Sequence, residues 1–208
     1  MTGISRAVRW YNLFGTTDLN VESVNIKVVF KHVMVRGEII YDEGKDTEQK
    51  MSYQILLDER FGIRGVKVQR SDINESISIY SNGEGRWFTN NLDPLPGLDG
   101  CIDFDISTSK STKAIPIARM NLDENDKKVI RAVQVPFPSR SLEILVEEQR
   151  YTFIERDPKY LGDKTMLWRY EMLSSGFMEE FITDEDGLFF AIWEAACENA
   201  RPCSDQAV

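Results

Sequence analysis

The chain has one histidine in 208 residues, His32. A zinc site built on several imidazoles is therefore excluded. A Ser-His-Asp relay would have to use His32, which lies between two β-like runs in a Lys-His-Val-Met context. Cysteine is also scarce: Cys101, Cys197 and Cys203. An odd count with no secretory h-region between Met1 and Asp18 points to free thiols and a cytoplasmic setting. No apolar run approaches the roughly 20 residues of a spanning helix. Basic residues number 25 against 34 acidic ones, a net charge of −9. That balance opposes nucleic-acid binding and broad electrostatic docking on an anionic membrane. There is no phosphate-cradling glycine loop, since Gly83-Glu84-Gly85 lacks the rest of a dinucleotide fingerprint. There is no Gly-x-Ser-x-Gly elbow, internal repeat or flexible linker either. No cofactor, metal or catalytic residue is indicated.

What the chain does have is period-two alternation. Val24, Ile26, Val28 and Phe30 share one strand face, and Val33, Val35 and Ile39 share another. Gly37 interrupts the second run, as a bulge or a close approach. Tyr53-Ile55-Leu57 and Val66-Val68 continue the pattern. Ile77-Ile79 runs into Ser81-Asn82-Gly83, a hairpin signal, with Arg86-Trp87-Phe88 as the return strand. Residues 90–100 form a Pro/Gly/Asp loop. Residues 101–106 alternate again, and Ser107 to Lys113 reads as a polar turn. Ile115 precedes Pro116 and is expected to be extended. Further strands are expected at 129–135, 142–154, 166–172, 177–182 and 188–193, with Ser174-Ser175-Gly176 as a hairpin connection. A helical turn at 194–199 and a disordered tail from Cys197 to Val208 would finish the chain. Many short strands imply a single all-β domain over residues 1–196, rolled or closed so that its edges are protected. Such a sheet can surround an apolar cavity for one ligand.

Three groups are candidates for chemistry. Asp103 and Asp105 share a strand face with Cys101, about 7 Å apart at the usual strand rise. That pair suits a hydrolase, a hard cation, or ion pairing to Arg119 or Arg150. Gln149 and Tyr151 face one side of a later strand, and Arg150 faces the other. An arginine there needs a carboxylate, and Asp103 or Asp105 is the natural candidate. Finally, Trp10, Tyr53, Trp87, Tyr151, Trp168, Tyr170, Phe177, Phe190 and Trp193 are aromatics suited to a strand core or a ligand cavity. Of these, Trp10, Trp87, Tyr151 and Tyr170 are the candidates for a pocket wall or mouth.

These segments, in order, resemble the bacterial family named for glycolipid binding. The resemblance runs from Arg9-Trp10 to Trp193. It is carried by Gly83 to Trp87, Leu95-Pro96-Gly97-Leu98-Asp99-Gly100-Cys101-Ile102-Asp103-Phe104-Asp105 and Pro116-Ile117-Ala118-Arg119. It continues through Glu148-Gln149-Arg150-Tyr151-Thr152, Tyr170-Glu171, Gly176-Phe177 and Asp184 to Leu188. The resemblance implies a spiral β-roll of antiparallel strands around an apolar interior. It also implies a non-catalytic protein holding an amphiphile, a glycolipid or fatty acyl ligand. Trp10, Trp87, Tyr151 and Tyr170 would line the pocket, and Asp103, Asp105, Arg119, Gln149 and Arg150 would meet the head group. The chain departs from the family pattern around Lys113-Ala114 and near Ile192, so its ligand preference is expected to differ. The alternatives are a hydrolase using Asp103 and Asp105, or an interaction domain without a ligand. Oligomeric state is not legible.

Overall fold

The computed structural model describes residues 5–11, 21–157 and 164–184. The expected strand at 188–193, the helical turn at 194–199 and the tail after Cys197 lie outside the described residues, as does the side chain of Trp10.

The fold is mostly β, as expected, and it is built from two sheets. The first is a seven-stranded antiparallel meander that curls into a half-barrel. Its strands are β1 (Ser5–Tyr11), β2 (Val21–Val29), β3 (His32–Tyr41), β4 (Gln49–Asp58), β5 (Ile63–Arg70), β6 (Glu75–Ser81) and β7 (Trp87–Thr89). The second sheet has the order β12-β11-β10-β9-β8. These are β8 (Asp103–Ile106), β9 (Lys127–Val135), β10 (Leu145–Arg156), β11 (Thr165–Met172) and β12 (Met178–Asp184).

The alternation read from sequence is the alternation that packs. Val24, Ile26, Val33, Val35, Ile39, Tyr53, Ile55, Leu57, Val66, Val68 and Ile79 all enter one core. Phe104 and Ile106 of β8 and Val133 and Val135 of β9 close it from the second sheet. The outward departures are Val28 and Phe30, which are exposed at the end of the β2–β3 hairpin.

Two expectations need correction. The turn is confined to Ser107-Thr108, and Ile115 is not extended. Residues 110–113 and Ile115 belong to a helix, α1 (Lys110–Arg119), with Pro116 inside it. Proline removes a single helix N–H and is disfavoured there, but other contacts outweigh it. The Ser109 hydroxyl caps the helix by accepting from the Thr112 N–H at 3.0 Å. The helix then buries both sides, with Ile115 in the larger core and Ala114, Ile117 and Met120 in a second core on the far sheet. Because α1 crosses between β8 and β9, that pair is parallel, where an all-antiparallel roll was expected.

Gly37 is a close approach, not a bulge, since the β3 register runs unbroken on both sides. It lies between Val24 of β2 and Tyr53 of β4. A Cβ at Gly37 would collide with the Tyr53 ring. The bare backbone lets that ring cross β3, and its hydroxyl donates to Glu22 of β2 at 2.6 Å. Gly37→Ala is therefore expected to destabilise the protein by about 1–3 kcal/mol through overpacking. Gly97, where an added Cβ meets nothing within 4 Å, serves as the control. Gly97→Ala should be neutral or slightly stabilising. Urea midpoints of the two variants check the contrast.

Candidate functional site

Asp103 and Asp105 share one face of β8, as the spacing requires, while Phe104 and Ile106 take the other. The aspartates do not face solvent. Their relative exposures are 0% and 1%. The face they share is continuous with the α1-covered face of β9, β10 and β11, here called the inner face of the second sheet.

Asp105 is the hub. Its Oδ1 accepts from the Thr112 hydroxyl at 2.8 Å. Its Oδ2 accepts from Gln149 Nε2 at 2.9 Å, Gln134 Nε2 at 3.3 Å and the Tyr170 hydroxyl at 3.3 Å. The Lys113 ammonium lies 3.7 Å from Oδ1 and donates to the carbonyls of Ser107 and Ser109 at 2.7 and 3.1 Å. Lys113 also sits 4.9 Å over the Tyr170 ring. Tyr151 completes the group, donating to Gln149 Oε1 at 3.2 Å and packing edge-on against Tyr170 with ring centroids 5.5 Å apart.

Burial shapes the protonation of this cluster. It pulls the Lys113 amine below the ordinary lysine range, against the upward pull of Asp105 and Glu22. It pushes the Tyr151 and Tyr170 phenols upward, and the Asp105 charge adds to both. Lys110, one helical turn away, is drawn down to about 7 by burial and by the Lys113 charge. Its ammonium contacts Glu179 of β12, and that carboxylate favours the charged form. Lys113 reaches the other Glu179 oxygen at 3.8 Å.

Glu22 binds the same region to the first sheet. Its Oε1 accepts from the Ser109 and Tyr53 hydroxyls at 2.5 and 2.6 Å. Its Oε2 accepts from the Lys110 N–H at 3.1 Å, so a buried carboxylate meets the positive end of α1.

Asp103 is paired separately. Arg119 donates to both of its oxygens at 2.6 Å. Burial still raises the carboxyl above its ordinary range, and Arg119 only partly offsets this. Arg150 does not join either aspartate. It lies on the outer face of β10 and pairs with Glu171 at 3.1 Å, because alternation turns it away from Gln149 and Tyr151. Trp87 is fully buried in the larger core, where its indole donates to the Cys101 carbonyl at 2.7 Å. It is thus on the other side of β8 from the cluster.

Glu22, Lys110, Thr112, Lys113, Gln134 and Glu179 were not among the sequence candidates, whereas Tyr53 was, as one of the aromatics. The Ser107-Thr108-Ser109 run before Lys110 was a usable helix-start signal, but Pro116 masked it. The others are brought in by long-range pairing that no local pattern encodes.

The inner face of the second sheet changes character along its length. Gln149 lies beside Met172, and the next row is Tyr151, Tyr170 and Glu179. The row after that is Phe153, Trp168 and Phe181, followed by Met166 and Thr183. Phe153 and Trp168 stack at 4.7 Å. A charged and amide-rich end thus runs directly into an aromatic end.

Arg119→Ala should leave Asp103 buried and unpaired, at a cost of about 3–5 kcal/mol near neutral pH. The loss of its partner raises the Asp103 carboxyl further above its unfolded value. A raised carboxyl contributes stability at low pH that is lost as pH rises. The defect should therefore shrink as pH falls toward about 4. Urea midpoints across that range, for wild type and variant, check this.

The comparisons agree with this architecture. A crystal structure of a DUF1089 family protein from Pseudomonas aeruginosa superposes with a TM-score of 0.63 at 23% identity, covering 88% of this chain and 94% of that one. It shows a shared fold. No curated protein matches the chain. Residues 7–195 match the family described as "Putative glycolipid-binding", and with that span covered the chain belongs to this family.

Proposed function

We propose that this protein holds an amphiphile, a glycolipid or fatty acyl ligand, without altering it chemically. The observation that carries the reading is the polarity gradient on the inner face of the second sheet. A fixed polar group around Asp105, Lys113, Gln149 and Tyr170 suits a hydroxylated or charged head. The row of Phe153, Trp168 and Phe181 suits a tail. Ala114 of α1 and Met120, the residue that caps its C-terminus, belong to the same cluster as this apolar row. A small residue and an adaptable one make room for a tail at low packing cost. Arg119 and Lys110, partly exposed at the two ends of α1, are placed to meet a head group at the rim.

A binding role also fits the state of the two aspartates. A carboxylate acting as general acid or base needs an oxygen free for the reacting proton. Both Asp103 oxygens are held by Arg119, and both Asp105 oxygens already accept from neighbours. The buried free thiol of Cys101 is in keeping with a reducing, cytoplasmic setting.

Native mass spectrometry of freshly purified protein tests the reading, with organic extraction of anything bound. The expected result is a co-purifying amphiphile. For a homologous series of saturated ligands, affinity should rise about fourfold per methylene, from ~0.8 kcal/mol of burial each. An apo mass that neither fatty acids nor glycolipids shift would contradict it.

A further inference from the structure

The β2–β3 hairpin carries a residue that is costly in two independent ways. Val29 pairs with His32, so the turn is the two residues Phe30 and Lys31. Phe30 has φ of 55°. Two-residue hairpin turns reserve such a conformation for glycine or asparagine, and a bulky side chain is strained there. Phe30 is also 81% exposed, and Val28, two residues before it, is 45% exposed. Neither core packing nor turn chemistry accounts for a phenylalanine at this position. Strain held at an exposed tip is a pointer to function.

The charges around the tip indicate what it meets. Lys27 and Lys31 flank it, the neighbouring β4–β5 turn brings Arg60, and the β6–β7 turn brings Arg86. Glu59, 3.9 Å from Lys31, and Glu84 stand against these four cations, while Arg64 of β5 is paired with Asp58 at 2.8 Å. This end of the half-barrel is therefore net positive in a chain of net charge −9. The opposite end gathers Asp42, Glu43, Asp46, Glu48, Asp72, Glu75 and Asp93 against Lys45, Lys50 and Arg70, which pair with Asp42, Glu48 and Asp72. Leu92, the other exposed apolar residue with positive φ, sits at that acidic end. The asymmetry gives the molecule a definite orientation near a negatively charged surface.

We infer that the Phe30 hairpin tip inserts into a lipid surface, with Phe30 entering the interface and Lys27, Lys31 and Arg60 facing anionic head groups. The inference rests on the amphiphile-binding reading, for which it supplies the contact with a membrane source. Aromatic side chains favour the membrane–water interface, and flanking lysines keep their ammonium groups in the head-group layer. The acidic remainder of the chain is repelled, so contact is confined to the tip.

Flotation with unilamellar vesicles of phosphatidylcholine mixed with phosphatidylglycerol tests this, using the full chain and two variants. Phe30→Asn suits the turn geometry and should fold at least as stably as wild type. Its vesicle affinity should fall by about tenfold or more, from the lost burial of one aromatic side chain. Phe30→Trp should retain binding, and its emission should shift to the blue on adding vesicles relative to wild type. Native mass spectrometry of Phe30→Asn with a soluble short-chain amphiphile separates the two readings, because ligand uptake should be unchanged. Equal vesicle binding by wild type and Phe30→Asn, no wild-type binding, or an unshifted Phe30→Trp spectrum would overturn the inference. If the wild-type chain takes up no amphiphile in solution, the amphiphile-binding reading fails instead.

Discussion

The Asp105 carboxylate is the constraint on which the other elements depend. A carboxylate with 1% exposure is tolerable only when its lone pairs are matched by donors. Its partners come from α1, β9, β10 and β11, through Thr112, Lys113, Gln134, Gln149 and Tyr170. Each must be in register for the carboxylate to be satisfied. The position of α1 over the second sheet is thereby fixed by polar geometry as well as by apolar packing. Through Lys113 and Lys110 the network reaches Glu179 of β12, and from the N-terminus of α1 it reaches Glu22, Tyr53 and Gly37. One connected set of buried polar contacts therefore joins both sheets.

Such a network makes the two ends of the inner face mechanically different. The polar end has its donors and acceptors committed to one another and is pre-organised. The aromatic end is held mainly by non-directional packing. On the proposed amphiphile-binding reading, the fixed end would set selectivity and the apolar end would supply affinity through buried area.

How much of this was legible in sequence follows from what alternation encodes. Period two assigns side chains to faces, so the faces of Asp103, Asp105, Gln149, Tyr151 and Arg150 were all readable. It does not say which face another layer will cover. Arg150 was therefore read as needing Asp103 or Asp105, but it pairs with Glu171 on the outer face, while the partners weighed for the aspartates included the right one for Asp103, Arg119. The helix was obscured because the seven polar residues from Ser107 to Lys113 read as a turn and Pro116 as a break. It forms because Ser109, Glu22 and two apolar cores outweigh the missing proline N–H. Gly37 was readable as a special position, but its purpose required knowing that Tyr53 crosses above it.

The central claim is that an amphiphile lies on the inner face of the second sheet, and two tryptophans on opposite sides of β8 test it directly. Trp168 belongs to the apolar row and donates to Thr183 at 3.1 Å, whereas Trp87 is sealed in the other core. Indole N–H resonances, assigned by substitution, should be followed by NMR while a glycolipid or fatty acid is added. A shift of the Trp168 signal with Trp87 unmoved is the predicted result. Saturable binding that leaves Trp168 unmoved, or that moves Trp87 alone, would contradict it.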